Sequence, residues 1–154
     1  MRYETKDITE IETGIVAHGV NCQCRMGSGV ALAIRNKWPR SYDSYMSVLP
    51  ELMPKLLGTA MIVLVSKSED ENPLYVANCF TQLNYGRDNF KYASPDAISS
   101  SLEQCFIFGR SNDLDLYIPK IGAGLGGLSW EIDVESRILK LEDHYKTECT
   151  VCVL

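Results

Sequence analysis

With 154 residues, 45% hydrophobic and 23% charged, the chain has the size and balance of one globular domain, residues 1–154, built on a single core. Its net charge of −5 argues against bulk nucleic-acid binding, which rests on clustered Lys and Arg neutralising phosphates. No apolar run approaches the ~20 residues that span a bilayer, and Met1-Arg2-Tyr3-Glu4 has no signal-peptide character, so a cytoplasmic chain without a membrane partner is expected.

Apolar runs alternate with helical patterns along the chain, which predicts an α/β layered fold. Tyr3–Thr5 and Gly14–His18 read as strands, the second running straight into a first glycine cluster at Met26-Gly27-Ser28-Gly29. Val30, Ile34 and Trp38 then recur at four-residue spacing, the period of a helix that Pro39 stops. Arg35, Lys37 and Arg40 around Trp38 read as a solvated face of that helix. Ala60–Val65 and Leu74–Cys79 are strands on either side of the polar loop Ser66–Asn72, and Gly86–Lys91 is a second polar loop. Ser94-Pro95 supplies an N-cap and a first-turn proline for a helix with the apolar stripe Ile98, Leu102, Cys105. The strand Leu114–Ile118 leads into the second glycine cluster, Gly122-Ala123-Gly124-Leu125-Gly126-Gly127. Ser129 caps a third helix, with Glu131 and Asp133 in its positive first turn and Val134, Ile138 and Leu141 on its buried side, and Thr150–Leu154 is the last strand.

The six cysteines do not read as a disulfide framework. Cys79 and Cys105 sit in apolar segments and act as small hydrophobes. Cys149-x-x-Cys152 lies on a strand, where positions i and i+3 point to opposite faces and cannot share a metal. Cys22-x-Cys24 has the better spacing but no evident third and fourth ligands, and no carboxylate cluster offers a site, so neither metal nor cofactor is expected.

Each glycine cluster falls where a strand ends and a helix begins, the place where open α/β sheets bind ligands. Glycine lets backbone N–H groups approach a ligand with no Cβ in the way, and a row of such groups at a helix N-terminus binds anions. Two such loops make a two-sided clamp suited to a diphosphate. Gly122-x-Gly124-x-x-Gly127 formally fits the dinucleotide fingerprint, but it lies late in the chain and its acidic partner would fall within the third helix. No Lys-Ser/Thr pair of a nucleoside-triphosphate loop is present.

The chain resembles the macrodomain family, and within it the branch of yeast-type ADP-ribose 1″-phosphate phosphatases, terminal ADP-ribose protein glycohydrolases and phage homologues. The residues that carry this are Asp7-Ile8, Ala17-His18 to Asn21, Met26-Gly27-Ser28-Gly29-Val30-Ala31, and above all Ile118-Pro119-Lys120-Ile121-Gly122-Ala123-Gly124-Leu125-Gly126-Gly127-Leu128-Ser129-Trp130. Phe80-Thr81-Gln82 and Tyr85-Gly86 resemble the phage members. The resemblance implies a three-layer α/β/α sandwich around a mixed sheet of about six strands, with ADP-ribose or ADP-ribose 1″-phosphate bound over the strand ends by a monomer.

By position, the resemblance places Asp7 and Ile8 at the adenine, with Leu154 packing against it, and Asn21 at the distal ribose. Gly27, Ser28, Gly29 and Val30 would hold one side of the ligand and Gly122, Ala123, Gly124, Leu125, Gly126 and Gly127 the other, with Gln82 nearby. His18 and Asn21 would be the catalytic pair, His18 as general acid/base or by orienting water. Simpler structural roles stand beside these: Asp7 as a turn cap, Asn21 as a brace of its own loop, His18 as a core histidine. The glycohydrolases' Lys falls at Gln82 and their Asp at Gly126, which weakens the case for the covalent route. The implied activity is therefore metal-free hydrolysis of ADP-ribose 1″-phosphate. The alternatives are a non-catalytic ADP-ribose reader and an ADP-ribosyl hydrolase acting on a modified macromolecule. Tyr85, Arg87 and Lys91 read as a rim over the distal end, and Phe90 and Tyr92 as packing.

Overall fold

A computed structural model describes residues 1–86 and 90–154. In it the strands β1 (Arg2–Thr5), β2 (Gly14–Asn21), β3 (Ala60–Lys67), β4 (Pro73–Gln82), β5 (Leu116–Ile118) and β6 (Cys149–Val153) form one sheet in the order β1-β6-β5-β2-β4-β3. All neighbours are parallel except β3, which runs antiparallel to β4 at the edge. Helices α1 (Gly29–Lys37) and α2 (Pro39–Met46) cover one face, and α3 (Pro95–Asn112) and α4 (Glu135–Tyr145) the other.

The central strand β2 is apolar along most of its length because both of its faces are covered. Ile15 and Ala17 pack with Ile98, Leu102 and Ile138 of the α3/α4 side. Val16 meets Ile34 and Trp38 on the other side, and Val20 meets Tyr45 and Phe80. The same alternation separates Cys149, in the α3/α4 core, from Cys152, in the α1 core, as the i, i+3 argument requires. All six cysteines are free thiols.

Three boundaries differ from expectation, each for a physical reason. Strand β2 continues past His18 to Asn21 and β4 past Cys79 to Gln82, because the two pair with each other through a register shift at Val20/Asn21. Pro39 does not merely stop α1. Trp38, at φ −130° and ψ 78°, breaks the chain, and Pro39 is the first residue of α2, where its missing N–H and fixed φ do no harm. Arg35 and Lys37 therefore lie on α1 and Arg40 on α2, so the three do not share one helix face, and the Arg35 guanidinium sits 3.8 Å above the Tyr42 ring. Finally, Ser129 does cap, its hydroxyl accepting from the Ile132 N–H, but the first turn, Trp130–Val134, is a π-helical turn ahead of α4. The Asp133 carboxylate accepts in return from the Ser129 N–H at 2.8 Å.

Candidate functional site

The C-terminal ends of β2, β4 and β5 open into a cavity of about 720 Å³, within the range of ligand sites for small molecules. One wall is the stretch from Arg25 through the first turn of α1, and the other is Pro119 to Gly126, with His18–Asn21 and Thr81–Gln82 forming the floor between them. Among the described residues of the lining, Arg25 and Lys120 are the charged ones besides the titratable His18, and none is acidic. An acidic chain thus keeps a cleft with a positive bias.

Both walls present backbone donors that the protein leaves unused. In the first, the N–H groups of Met26, Gly27, Ser28 and Gly29 have no acceptor among the described residues. The Ser28 side chain makes no capping bond to α1, whose N-terminus opens here. In the second, Ala123, Gly127 and Leu128 donate to Lys120, Gly124 and Gly122 carbonyls and fold the loop on itself. The N–H groups of Gly122, Gly124, Leu125 and Gly126 are left without an acceptor among the described residues. Such rows of amides beside a helix N-terminus are what binds phosphate oxygens.

Two glycines are not explained by the fold itself. A Cβ on Gly27 or Gly124 would meet nothing within 4 Å among the described residues, and neither residue has a left-handed backbone. Both line the cavity, Gly27 in the first wall and Gly124 in the second. Gly127 is a contrasting case: its φ is +81° and a Cβ there would lie 2.5 Å from the Phe90 carbonyl oxygen.

His18 is 1% exposed on the α1/α2 side of β2. The Asn78 Nδ2 donates to the Ser41 carbonyl at 3.0 Å, which turns Asn78 Oδ1 to the imidazole Nε2 at 2.7 Å. Nε2 therefore carries the hydrogen and donates it, and Nδ1 holds a buried lone pair with no partner among the described residues. Burial lowers the His18 pKa to about 4, against a smaller opposing effect of the Asn78 bond. At neutral pH the ring is uncharged, so it can accept a hydrogen bond or a proton but has none to give as an acid.

The Asn21 side chain braces its own loop. Its Oδ1 accepts from the Gln23 N–H at 2.9 Å and from the Tyr45 hydroxyl at 2.9 Å, and its Nδ2 donates to the Arg25 carbonyl at 2.9 Å. One Nδ2 hydrogen remains for a ligand at the cleft floor. Asp7 caps the 3-10 turn Ile8–Glu10, accepting from the Thr9 N–H at 2.9 Å and the Thr9 hydroxyl at 2.7 Å, and these bonds lower its pKa.

Of the residues expected at the site, His18, Asn21, Gly27, Ser28, Gly29, Val30, Gln82, Gly122, Gly124, Leu125 and Gly126 line the cavity. Asp7, Ile8, Ala123, Gly127 and Leu154 are not in its lining. Ile8 is 7% exposed and packs with Ile34 and Trp38, and Leu154 is 96% exposed. On the rim, Tyr85 lines the cavity and Lys91 reaches Asp133 at 4.0 Å, whereas Arg87 lies outside the described residues. Phe90 and Tyr92 meet edge to face at 5.0 Å. Arg25, Thr81 and Lys120 also line the cavity and had no site role in the sequence reading. Lys120 was legible as the cation beside the second glycine loop; Arg25 and Thr81 depend on how strands and loop curve together.

A family model described as Macro domain matches residues 17–136. The ADP-ribose 1″-phosphate phosphatase of Scheffersomyces stipitis is 28% identical over 134 residues, covering 76% of this chain and 78% of that protein. The DNA ADP-ribosyl glycohydrolase of Mycobacterium tuberculosis is 26% identical over 137 residues, covering 89% of this chain but 37% of that protein. Among solved structures, the macrodomain of Mycobacterium tuberculosis DarG superposes with a TM-score of 0.77 at 21% identity, over 98% of this chain and 95% of that one.

Proposed function

The chain belongs to the Macro domain family, and from that membership and the geometry of its cleft we propose that it binds ADP-ribose 1″-phosphate and hydrolyses it to ADP-ribose and phosphate. The observation that carries this reading is the pair of walls whose N–H groups have no acceptor among the described residues, each with a cleft-lining glycine, Gly27 or Gly124, whose Cβ no described atom would meet within 4 Å. In it the amides of residues 26–29, of Gly122 and of residues 124–126 grip the diphosphate, and Asn21 offers its remaining Nδ2 hydrogen to the distal ribose. Arg25 and Lys120 add positive charge near the mouth. Fixed donors aimed at phosphoryl oxygens also stabilise the charge that develops as the ester breaks, and need no reorganisation to do so. His18 contributes the Nδ1 lone pair of a neutral ring, as acceptor or base toward water. Asp7, Ile8 and Leu154 stay as an adenine-end proposal outside the cavity described above.

The hydrolase class is common to the relatives named phosphatase and glycohydrolase. The glycohydrolase route through an amine is not favoured here, since Gln82 holds an amide whose Nε2 donates to the Asn84 carbonyl at 2.6 Å. A second reading, binding without turnover, is favoured by the burial of Nδ1, which must reach water if it is to serve as a base.

Purified protein incubated with ADP-ribose 1″-phosphate should release phosphate, and His18→Ala should slow that release tenfold or more. Calorimetric binding of ADP-ribose, tighter than AMP or NAD, without phosphate release would establish the reader instead. Failure to bind either ligand would remove the clamp altogether.

A further inference from the structure

The Cys22-x-Cys24 pair lacked further ligands in the sequence, but the fold brings the Met53 sulfur to Cys24, in the cluster where Cys22 is buried. Beyond Asn21 the chain bends three times in succession, and Cys24 takes a left-handed backbone, φ 60°, that only a tightly braced loop imposes on a non-glycine residue. The brace is the Asn21 amide and the Tyr45 hydroxyl, which accepts from the Arg25 N–H at 3.0 Å. The turn sends Cys24 inward, so that its Sγ lies 3.6 Å from Sδ of Met53. Met53 itself is fully buried in the 3-10 turn Met53–Leu56. Cys22 enters the same cluster, and burial together with the adjacent Cys24 thiol pushes its pKa up to about 11.

We propose that Cys22, Cys24 and Met53 form a binding site for a soft monovalent d10 metal ion, Cu(I) by chemical class. Two sulfurs 3.6 Å apart can both touch one ion at about 2.3 Å, the usual metal–thiolate length. A thioether with two thiols is a donor set that selects Cu(I) over harder divalent ions. No group of three His, Cys, Asp or Glu side chains capable of holding a metal occurs among the described residues, so zinc has no comparable set. Cys24 is half-exposed and gives the ion a way in, whereas the Cys79 and Cys105 thiols, 3.8 Å apart, are sealed in the core. Binding releases the thiol protons and involves no change of oxidation state; because those protons must leave, affinity rises with pH. The site does not depend on what the cleft binds.

The test is titration of the reduced, metal-free full chain against Cu(I) held by the chromogenic chelator bicinchoninate. The wild type should withdraw one equivalent, Cys24→Ser should lose it, and the volume-conserving Met53→Leu should weaken it tenfold or more. Cys152→Ser, outside the cluster, should match the wild type. No withdrawal by the wild type, wild-type affinity in Met53→Leu, or loss in Cys152→Ser overturns the proposal. X-ray absorption at the copper edge, which needs no variant, should show a shell of three sulfurs; nitrogen or oxygen donors in that shell overturn it as well.

Discussion

Single residues in this cleft separate into those the fold needs and those it leaves over for something else. Gly127 is needed: its left-handed φ and the 2.5 Å approach to the Phe90 carbonyl leave no place for a Cβ. Gly127→Ala should cost about 1–3 kcal/mol in urea unfolding. Gly124 is not needed by its own neighbours, so Gly124→Val should leave the unfolding midpoint in place while ADP-ribose affinity falls tenfold or more by calorimetry. Equal binding by this variant would mean that the second wall does not touch the ligand. His18 makes a different prediction. Its pKa stands near 6.5 in the unfolded chain and about 4 in the folded one, so the unfolded state takes up the proton first as acid is added. The stability tied to the neutral ring is whole above pH 6.5 and is lost as the pH falls from 6.5 toward 4, on the order of 3 kcal/mol in all. Urea unfolding measured from pH 7 to 4.5 should show this slope, and His18→Gln should flatten it. An unchanged slope in the variant would assign the acid sensitivity elsewhere.

At the scale of elements, the second wall is held by the start of α3 as much as by β5. Between β4 and α3 the Ala93 N–H donates to the Gly126 carbonyl at 3.0 Å and the Ser94 N–H to the Thr81 carbonyl at 2.8 Å. The Ser94 hydroxyl then accepts from the Ala97 N–H at 3.2 Å and caps the 18-residue helix. Ser94→Ala removes that cap and should cost about 1 kcal/mol, a loss that thermal unfolding would read as a few degrees. The first wall has the opposite construction. Ser28 stands at the N-cap of α1 without using its side chain there, so the hydroxyl and the first-turn amides remain for an anion. The chain caps the helix that supports and leaves uncapped the helix that faces the cleft.

Across the whole molecule, ligand binding should register as stability. A ligand that fills the cleft of the folded state alone, at 100 times its Kd, adds about 2.7 kcal/mol. For a chain of 154 residues that is a rise in melting temperature of about 5–10 °C with ADP-ribose. AMP, which cannot span both walls, should give a much smaller shift at the same concentration. Equal shifts with AMP and ADP-ribose would place the recognition at the nucleoside and not at the clamp.

What local chemistry dictates could be read from the chain alone. Both glycine clusters, the Ser94-Pro95 helix start, the Ser129 cap and the opposite-facing Cys149 and Cys152 follow from residue type and spacing, because caps, turns and strand alternation act over only a few residues. So did the family, since the motif from Ile118 to Trp130 is contiguous. Tertiary structure decided the rest. Strand β2 reaches Asn21 because β4 pairs with it, and α2 forms because Tyr45 finds Asn21 and Phe80 to pack and bond with, a partnership no window around Pro39 contains. The neutral state of His18 comes from its burial in the folded chain, and its tautomer from Asn78, sixty residues away, with Ser41 behind it. Met53 reaches Cys24 from the far side of α2. A side chain's ionisation, its spare hydrogen bonds and its metal partners depend on which distant atoms fill its surroundings, and only the folded chain brings those atoms near.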